Sequence, residues 1–166
     1  AVVTRSVLES GSWQAGDVDG RLVFASQTGT FQAETLNVGT NINVASIAAN
    51  SSAISLLPSG RVQCVAYNFG GASGTARIYG CDAVNRGFEF DGTVFVPIDT
   101  GMTTDTPKYV ISHKFQLFFA FGSSAQHSGP GKPFVWTPVL GAAELAVGDD
   151  ITGFNVEMGS ETGAAL

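Results

Sequence analysis

The apolar positions of this chain fall in short runs, many alternating with polar residues, between clusters of Gly, Asn, Asp, Pro and Ser. A period of two bounded by turn-forming residues is the signature of a half-buried strand, and the N-terminal runs carry no helical period. Strands are predicted over residues 2–8, 21–25, 30–36, 43–47 and 54–57. Residues 45–49, Ala-Ser-Ile-Ala-Ala, could close one helical turn, but they lack a cap and abut Asn50-Ser51-Ser52, so a loop is expected. Leu56-Leu57-Pro58-Ser59-Gly60 is a turn signal. It marks the expected boundary between a small N-terminal β unit, 1–58, and an antiparallel β-hairpin region, 59–166.

Past that boundary the hairpins become longer and more aromatic. Strands 61–69 and 76–81 surround the Gly-rich segment 70–75, which lies equidistant from Cys64 and Cys81 and would set them opposite each other. Paired residues on antiparallel strands hold their Cβ atoms ~4.5 to 5.5 Å apart, and a disulfide needs somewhat less. For a chain made in a reducing cytosol, two buried free thiols are the expectation. Strands 88–90 and 93–96 flank Asp91-Gly92, a dipeptide suited to a two-residue type I′ turn, and that register pairs Phe88 with Phe95 on one face. Strands 109–112 and 115–121 meet at a tight turn near His113-Lys114. The second of these is apolar on both faces, which predicts a central strand covered on both sides. Strands 133–137, 143–147, 151–158 and 163–166 follow, and the apolar end reads as a strand cut short, as expected of part of a longer chain.

The fold class is therefore all-β, with antiparallel hairpins forming a β-sandwich or a partial β-propeller-like assembly. Units around 61–98, 107–139 and 143–166 offer hairpins of similar length without a strict sequence period. Composition agrees: 44% of residues are hydrophobic, 13% are charged and 21 are Gly, so material for solvent-facing helices is scarce and turns are plentiful.

A net charge of −6, with eight scattered Lys and Arg, argues against a nucleic-acid partner and against attraction to anionic lipid. No run reaches the ~20 apolar residues of a membrane helix, and no basic-then-apolar leader is legible, so no membrane partner is expected. Two cysteines without paired spacing do not make a zinc site, and Asp17-Val18-Asp19-Gly20 lacks the rest of a calcium loop. No nucleophile elbow, phosphate loop or dinucleotide fingerprint occurs. Neither cofactor nor metal is expected, and no catalytic residue is assigned. The pairs Asp149/Asp150 and Glu89/Asp91 are conceivable acid/base carboxylates of a glycan hydrolase, but each also has a complete rationale as a turn or hairpin residue. His113 falls at a turn. His127 lies in the polar stretch 123–131, read as a loop able to line a binding surface. Trp13 and Trp136, with Tyr67, Tyr79 and Tyr109, would stack on sugars if exposed and otherwise belong to the core. Trp13, His127 and Trp136 make up the candidate binding surface.

Three stretches carry a resemblance: Tyr79-Gly80-Cys81-Asp82-Ala83-Val84-Asn85-Arg86-Gly87-Phe88-Glu89-Phe90-Asp91-Gly92, His113-Lys114-Phe115-Gln116-Leu117-Phe118, and Ser124-Ala125-Gln126-His127-Ser128-Gly129-Pro130-Gly131-Lys132-Pro133-Phe134-Val135-Trp136. They resemble tailed-bacteriophage virion proteins with β-propeller-like blades, and Ala142 to Thr152 resembles the strand that follows there. Gly11-Ser12-Trp13-Gln14-Ala15-Gly16-Asp17 and Gly29-Thr30-Phe31-Gln32-Ala33-Glu34 are likewise similar to phage structural proteins. The resemblance implies a virion component of the tail or another exterior position, assembled in the host cytoplasm, with no catalytic residues to carry over. Its partners would be copies of itself and other virion proteins. A propeller needs about four to eight four-stranded blades, more than this chain holds. It would thus be part of a longer polypeptide, or neighbouring copies would complete it, or the fold would be a sandwich. The alternative function is a carbohydrate-binding module that recognises a host-surface glycan.

Overall fold

The computed structural model describes residues 2–48 and 50–156. Among these the chain is all-β, with one 3-10 turn at Pro138–Leu140 and no α-helix. Strand β1 (Val3–Ser10) pairs with β2 (Asp19–Phe24), and β3 (Thr35–Val38) pairs with β4 (Asn41–Ser46). Two four-stranded meanders follow. The first runs β5 (Gln63–Tyr67), β6 (Arg77–Cys81), β7 (Phe88–Phe90), β8 (Phe95–Pro97), and the second runs β9 (Tyr109–His113), β10 (Gln116–Phe121), β11 (Ser124–His127), β12 (Ala143–Ala146). All pairings are antiparallel between sequence neighbours, so each sheet assembles from local hairpins.

The two meanders pack around one core, with β9 running close to β5 and β6. Tyr79, Cys81 and Val96 from the first sheet, and Ile98 just beyond it, meet Leu117 and Phe119 of β10. Val7 of β1, Phe69 and Phe134 close the cluster, so the first hairpin shares its core with both meanders. The run that is apolar on both faces is central as expected: β10 sits between β9 and β11, and Leu117, Phe119 and Ala120 are fully buried.

Registers differ from expectation in instructive ways. Cys64 lies opposite Gly80 and Cys81 opposite Gln63, one residue away from the predicted pairing. A slip of one residue sends a side chain to the other face of a sheet. Cys81 is therefore buried and Cys64 exposed, both as free thiols, instead of two buried neighbours. The loop between them is not a symmetrical turn. Asn68 organises it, its Oδ1 accepting from the Gly71 N–H at 2.9 Å and the Thr75 hydroxyl at 2.6 Å while its Nδ2 donates to the Ala72 carbonyl.

At the next hairpin the register shifts by two, so Phe90 rather than Phe88 faces Phe95. Asp91 is the cause: its Oδ1 accepts the N–H groups of Thr93 and Val94 at 2.9 and 2.8 Å, drawing four residues into the turn. Those two N–H bonds, Val94 first, also hold the Asp91 carboxyl below its usual range. A shift of two preserves the face, and the Phe88 and Phe95 rings still stack, with centroids 4.8 Å apart.

Several predicted strands are absent. Residues 30–34, 54–57, 133–137 and 151–156 form no named strand. The predicted strand 163–166, and the last residues of 151–158, lie outside the described residues. Residues 123–131, read as a polar loop, instead contribute β11, whose Ala125 is buried between β10 and β12. Consequently β12 is the fourth strand of the second meander and does not open a third unit.

The β9–β10 turn places Lys114 and Phe115 at φ 43° and 64°. Two successive left-handed residues make a type I′ turn, which favours Asn-Gly. Phe115 is held there by edge contacts to Tyr67 and Phe69 and by the Gly131 N–H, which donates to its carbonyl at 2.6 Å. Lys114 has no such anchor. Lys114→Asn is expected to stabilise the protein by about 0.5 to 1 kcal/mol, since Asn tolerates the left-handed region. Urea denaturation at fixed pH checks this, and an unchanged or lower midpoint would contradict it.

Candidate functional site

Two features stand apart from the core: an uncovered sheet face and a groove. The face follows from register. Directly paired residues share a face, so one side of the first meander carries Cys64, Gly80, Phe88 and Pro97 in one row and Ala66, Ile78, Phe90 and Phe95 in the next. None of the eight is charged. Cys64 and Ala66 are exposed, Ile78 is 40% exposed, and the three Phe rings and Pro97 are half-buried. Gly80 is required here, because a Cβ would stand 2.3 Å from the Phe88 ring. The outer side of the second meander is mixed: Tyr109, Ile111 and Phe118 are half-buried, Ala120 and Ala125 are buried and Leu145 is exposed, but His113, Gln116 and His127 share that side.

The groove, about 280 Å³, is lined by Glu9, Asp99, Thr100, Gly101, Phe134, Trp136 and Thr137. Trp136 stacks on Phe119 with centroids 5.4 Å apart, and its Nε1 donates to the Pro133 carbonyl at 3.1 Å. Glu9 is paired with Arg21 at 2.6 Å and Asp99 with Arg86 at 2.9 Å. Buried Asp105 fixes the Asp99–Gly101 loop by accepting from the Thr100 N–H at 3.0 Å and the Thr100 hydroxyl at 2.7 Å. An indole beside two carboxylates and a hydroxyl is suited to stacking a sugar ring and accepting its hydroxyl hydrogens.

Comparisons with protein-family models, curated proteins and solved structures return no match.

The three predicted surface residues are not brought together. Trp13 is 70% exposed on the β1–β2 connection, and only Trp136 lines the groove. His127 lies on β11 rather than on a loop, half-buried beside Phe118, with its Nδ1 2.8 Å from Gln116 Nε2. His113 ends β9, 6.4 Å from the Phe118 ring.

The paired carboxylates of the sequence also separate. Glu89 is 2% exposed, receiving Arg5 at 2.6 Å and the Tyr79 hydroxyl at 2.8 Å, whereas Asp91 is exposed in its turn. Burial, reinforced by the Glu89 charge, raises the Tyr79 phenol far above its normal range. Burial likewise pushes the Cys81 thiol up to about 12, with the Asp82 carboxylate adding to it. Asp149 accepts from the N–H of Asp150 in an exposed turn. Among the described residues no cluster of three or more His, Cys, Asp or Glu could hold a metal ion.

Glu9, Asp99 and Arg5 are not announced by any local spacing, because the ionic partners they meet lie 12, 13 and 84 positions away in sequence. The uncovered face was encoded in plain alternation, but assembling it required the register.

Proposed function

We propose that this chain is a non-enzymatic bacteriophage virion structural protein. It acts by associating with copies of itself and with other virion proteins, in the tail or another exterior position, after assembly in the host cytoplasm. The observation that supports association is the charge-free outer face of the first meander. An antiparallel sheet with one face in the core ordinarily turns polar residues to water on the other. Here Ile78, Phe88, Phe90 and Phe95 occupy that position. Covering such a face gains roughly 25 cal/mol per Å² of apolar surface removed from water. The β3–β4 hairpin adds exposed Val38, Ile42 and Val44, and all four residues of edge strand β12 are exposed. The virion assignment itself rests on the sequence resemblance.

Cys64 reports on this face. In the associated protein its maleimide labelling is expected to be slow, and Ile78→Lys, which puts a charge beside it on the same face, is expected to restore the rate of an exposed thiol. Cys81 stays unreactive until unfolding, because its thiol is buried. Labelling of wild-type Cys64 at the exposed-thiol rate at every protein concentration would mean that nothing covers the face.

A second reading, a carbohydrate-binding module for a host-surface glycan, is favoured by the groove that joins Trp136 to Glu9 and Asp99. Saturable glycan binding lost in Asp99→Asn would support it.

A further inference from the structure

A second groove, of about 340 Å³, lies on the other side of Phe134 between β1, the loop after β5, and residues 131–135. Arg5, Arg77 and Lys132 line it, which is three of the eight Lys and Arg in a chain of net charge −6. Its one acid, Glu89, is already matched by Arg5 and capped by the Tyr79 hydroxyl. Arg77 and Lys132 have no carboxylate within ion-pair distance among the described residues. The Arg77 guanidinium spends one nitrogen on the carbonyls of Gly74 and Ala76, while its buried Nε has no partner among the described residues, and the same holds for the buried Nε of Arg5. Concentrated, uncompensated positive charge in a concave site is the arrangement that attracts an anion.

We propose that this groove binds a small carboxylate-bearing sugar, with the carboxylate on Arg77 and Lys132. With Nη1 committed to backbone carbonyls and Nε buried, Arg77 offers Nη2 for a charge-assisted hydrogen bond to the carboxylate, and the Lys132 ammonium adds a mobile point charge. The remaining lining fixes the rest of the ligand. Phe69 and Phe134, each 8% exposed, present the apolar part of the wall, and the Thr75 hydroxyl, which donates to Asn68, can accept from a ligand hydroxyl. A bare inorganic anion would leave those walls unused. A volume near the small end of ligand pockets, ~300 to 1,000 Å³, suits one or two sugar rings better than an extended peptide. The proposal does not rest on the association reading, since none of these residues belongs to the charge-free face.

Calorimetric titration of the full chain, in whatever oligomeric state it adopts, tests this with three probes: a glucuronic-acid disaccharide, its neutral glucose counterpart and inorganic sulfate. The acidic disaccharide is expected to bind saturably, at least tenfold tighter than either comparison probe. Arg77→Gln combined with Lys132→Gln is expected to weaken it at least tenfold. Arg77→Gln gives up the bonds to the Gly74 and Ala76 carbonyls, so the melting temperature of the double variant is expected to fall slightly, whereas Lys132→Gln alone, at an exposed position, should leave it unchanged. If the double variant does not fold, Lys132→Gln alone, at an exposed position, is expected to lower the affinity at least threefold. No saturable binding, equal binding of the neutral sugar, sulfate binding as tight as the acidic sugar, or unchanged affinity in the variants would each overturn the proposal. None of these outcomes bears on the Cys64 labelling experiment.

Discussion

Replacing Arg5 with Met is expected to destabilise the fold by about 3 kcal/mol. The Glu89 carboxylate is 3% exposed and carries its charge into the core, where Arg5 meets it at 2.6 Å. Removing only the cation strands that charge, and the penalty is the desolvation of the carboxylate rather than the modest net worth of the pair. The figure sits at the low end of the range for buried pairs because the Arg5 side chain is itself 31% exposed, so water can reach its side of the gap. Glu89→Gln in the same background should recover most of the loss, since Gln is neutral and still offers an oxygen to the Tyr79 hydroxyl. Urea denaturation of the two single variants and the double variant closes the cycle. A double variant no more stable than Arg5→Met would show that Arg5 acts through packing instead. The pair also ties β1 to β7, so its loss should loosen the first hairpin from the meander.

Phe119→Ala is expected to cost about 3 to 5 kcal/mol, the range for truncating a buried aromatic ring. Phe119 is fully buried, lies under Trp136 and fills the space over Gly87, where a Cβ would come within 2.3 Å of its ring. That contact makes a second outcome testable. Gly87→Ala alone should be destabilising through the clash, but the same change in the Phe119→Ala background should cost little or nothing because the ring is gone. Additive losses would mean that the Gly87 backbone, whose carbonyl accepts from the Ile98 N–H at 2.6 Å, is what cannot tolerate the change. Loss of Phe119 would also remove the support beneath Trp136, and with it the shape of the groove.

Much of this fold was legible in alternation and turn chemistry. The strands at 88–90, 109–113 and 116–121 follow runs of Phe, Val and Ile between clear punctuation, and the unbroken apolar run of β10 announced its central place. Errors arose where a side chain redirected the backbone. Asp91 and Asn68 lengthened or skewed turns by bonding backbone groups, which shifted register without changing the strands themselves. Strand β11 was missed because Ser124, Gln126 and His127 read as loop residues, although Gly122-Ser123 after β10 is a hairpin dipeptide. Residues 133–137 misled in the opposite sense. Their Phe, Val and Trp are apolar because they plug the core and line the groove from a loop, with no ladder partner. Of the candidate surface, Trp136 alone was placed beside polar partners that a sugar could use, and those partners, Glu9 and Asp99, come from elements far apart in sequence.

The molar mass of the full chain in dilute solution, by light scattering after size exclusion, tests the association claim most directly. Association through the charge-free face predicts a stable multiple of 17.2 kDa for the wild type that collapses to 17.2 kDa in Ile78→Lys, with the far-ultraviolet spectrum of the variant unchanged. A wild-type chain that runs as a well-folded 17.2 kDa monomer across the micromolar range would contradict it.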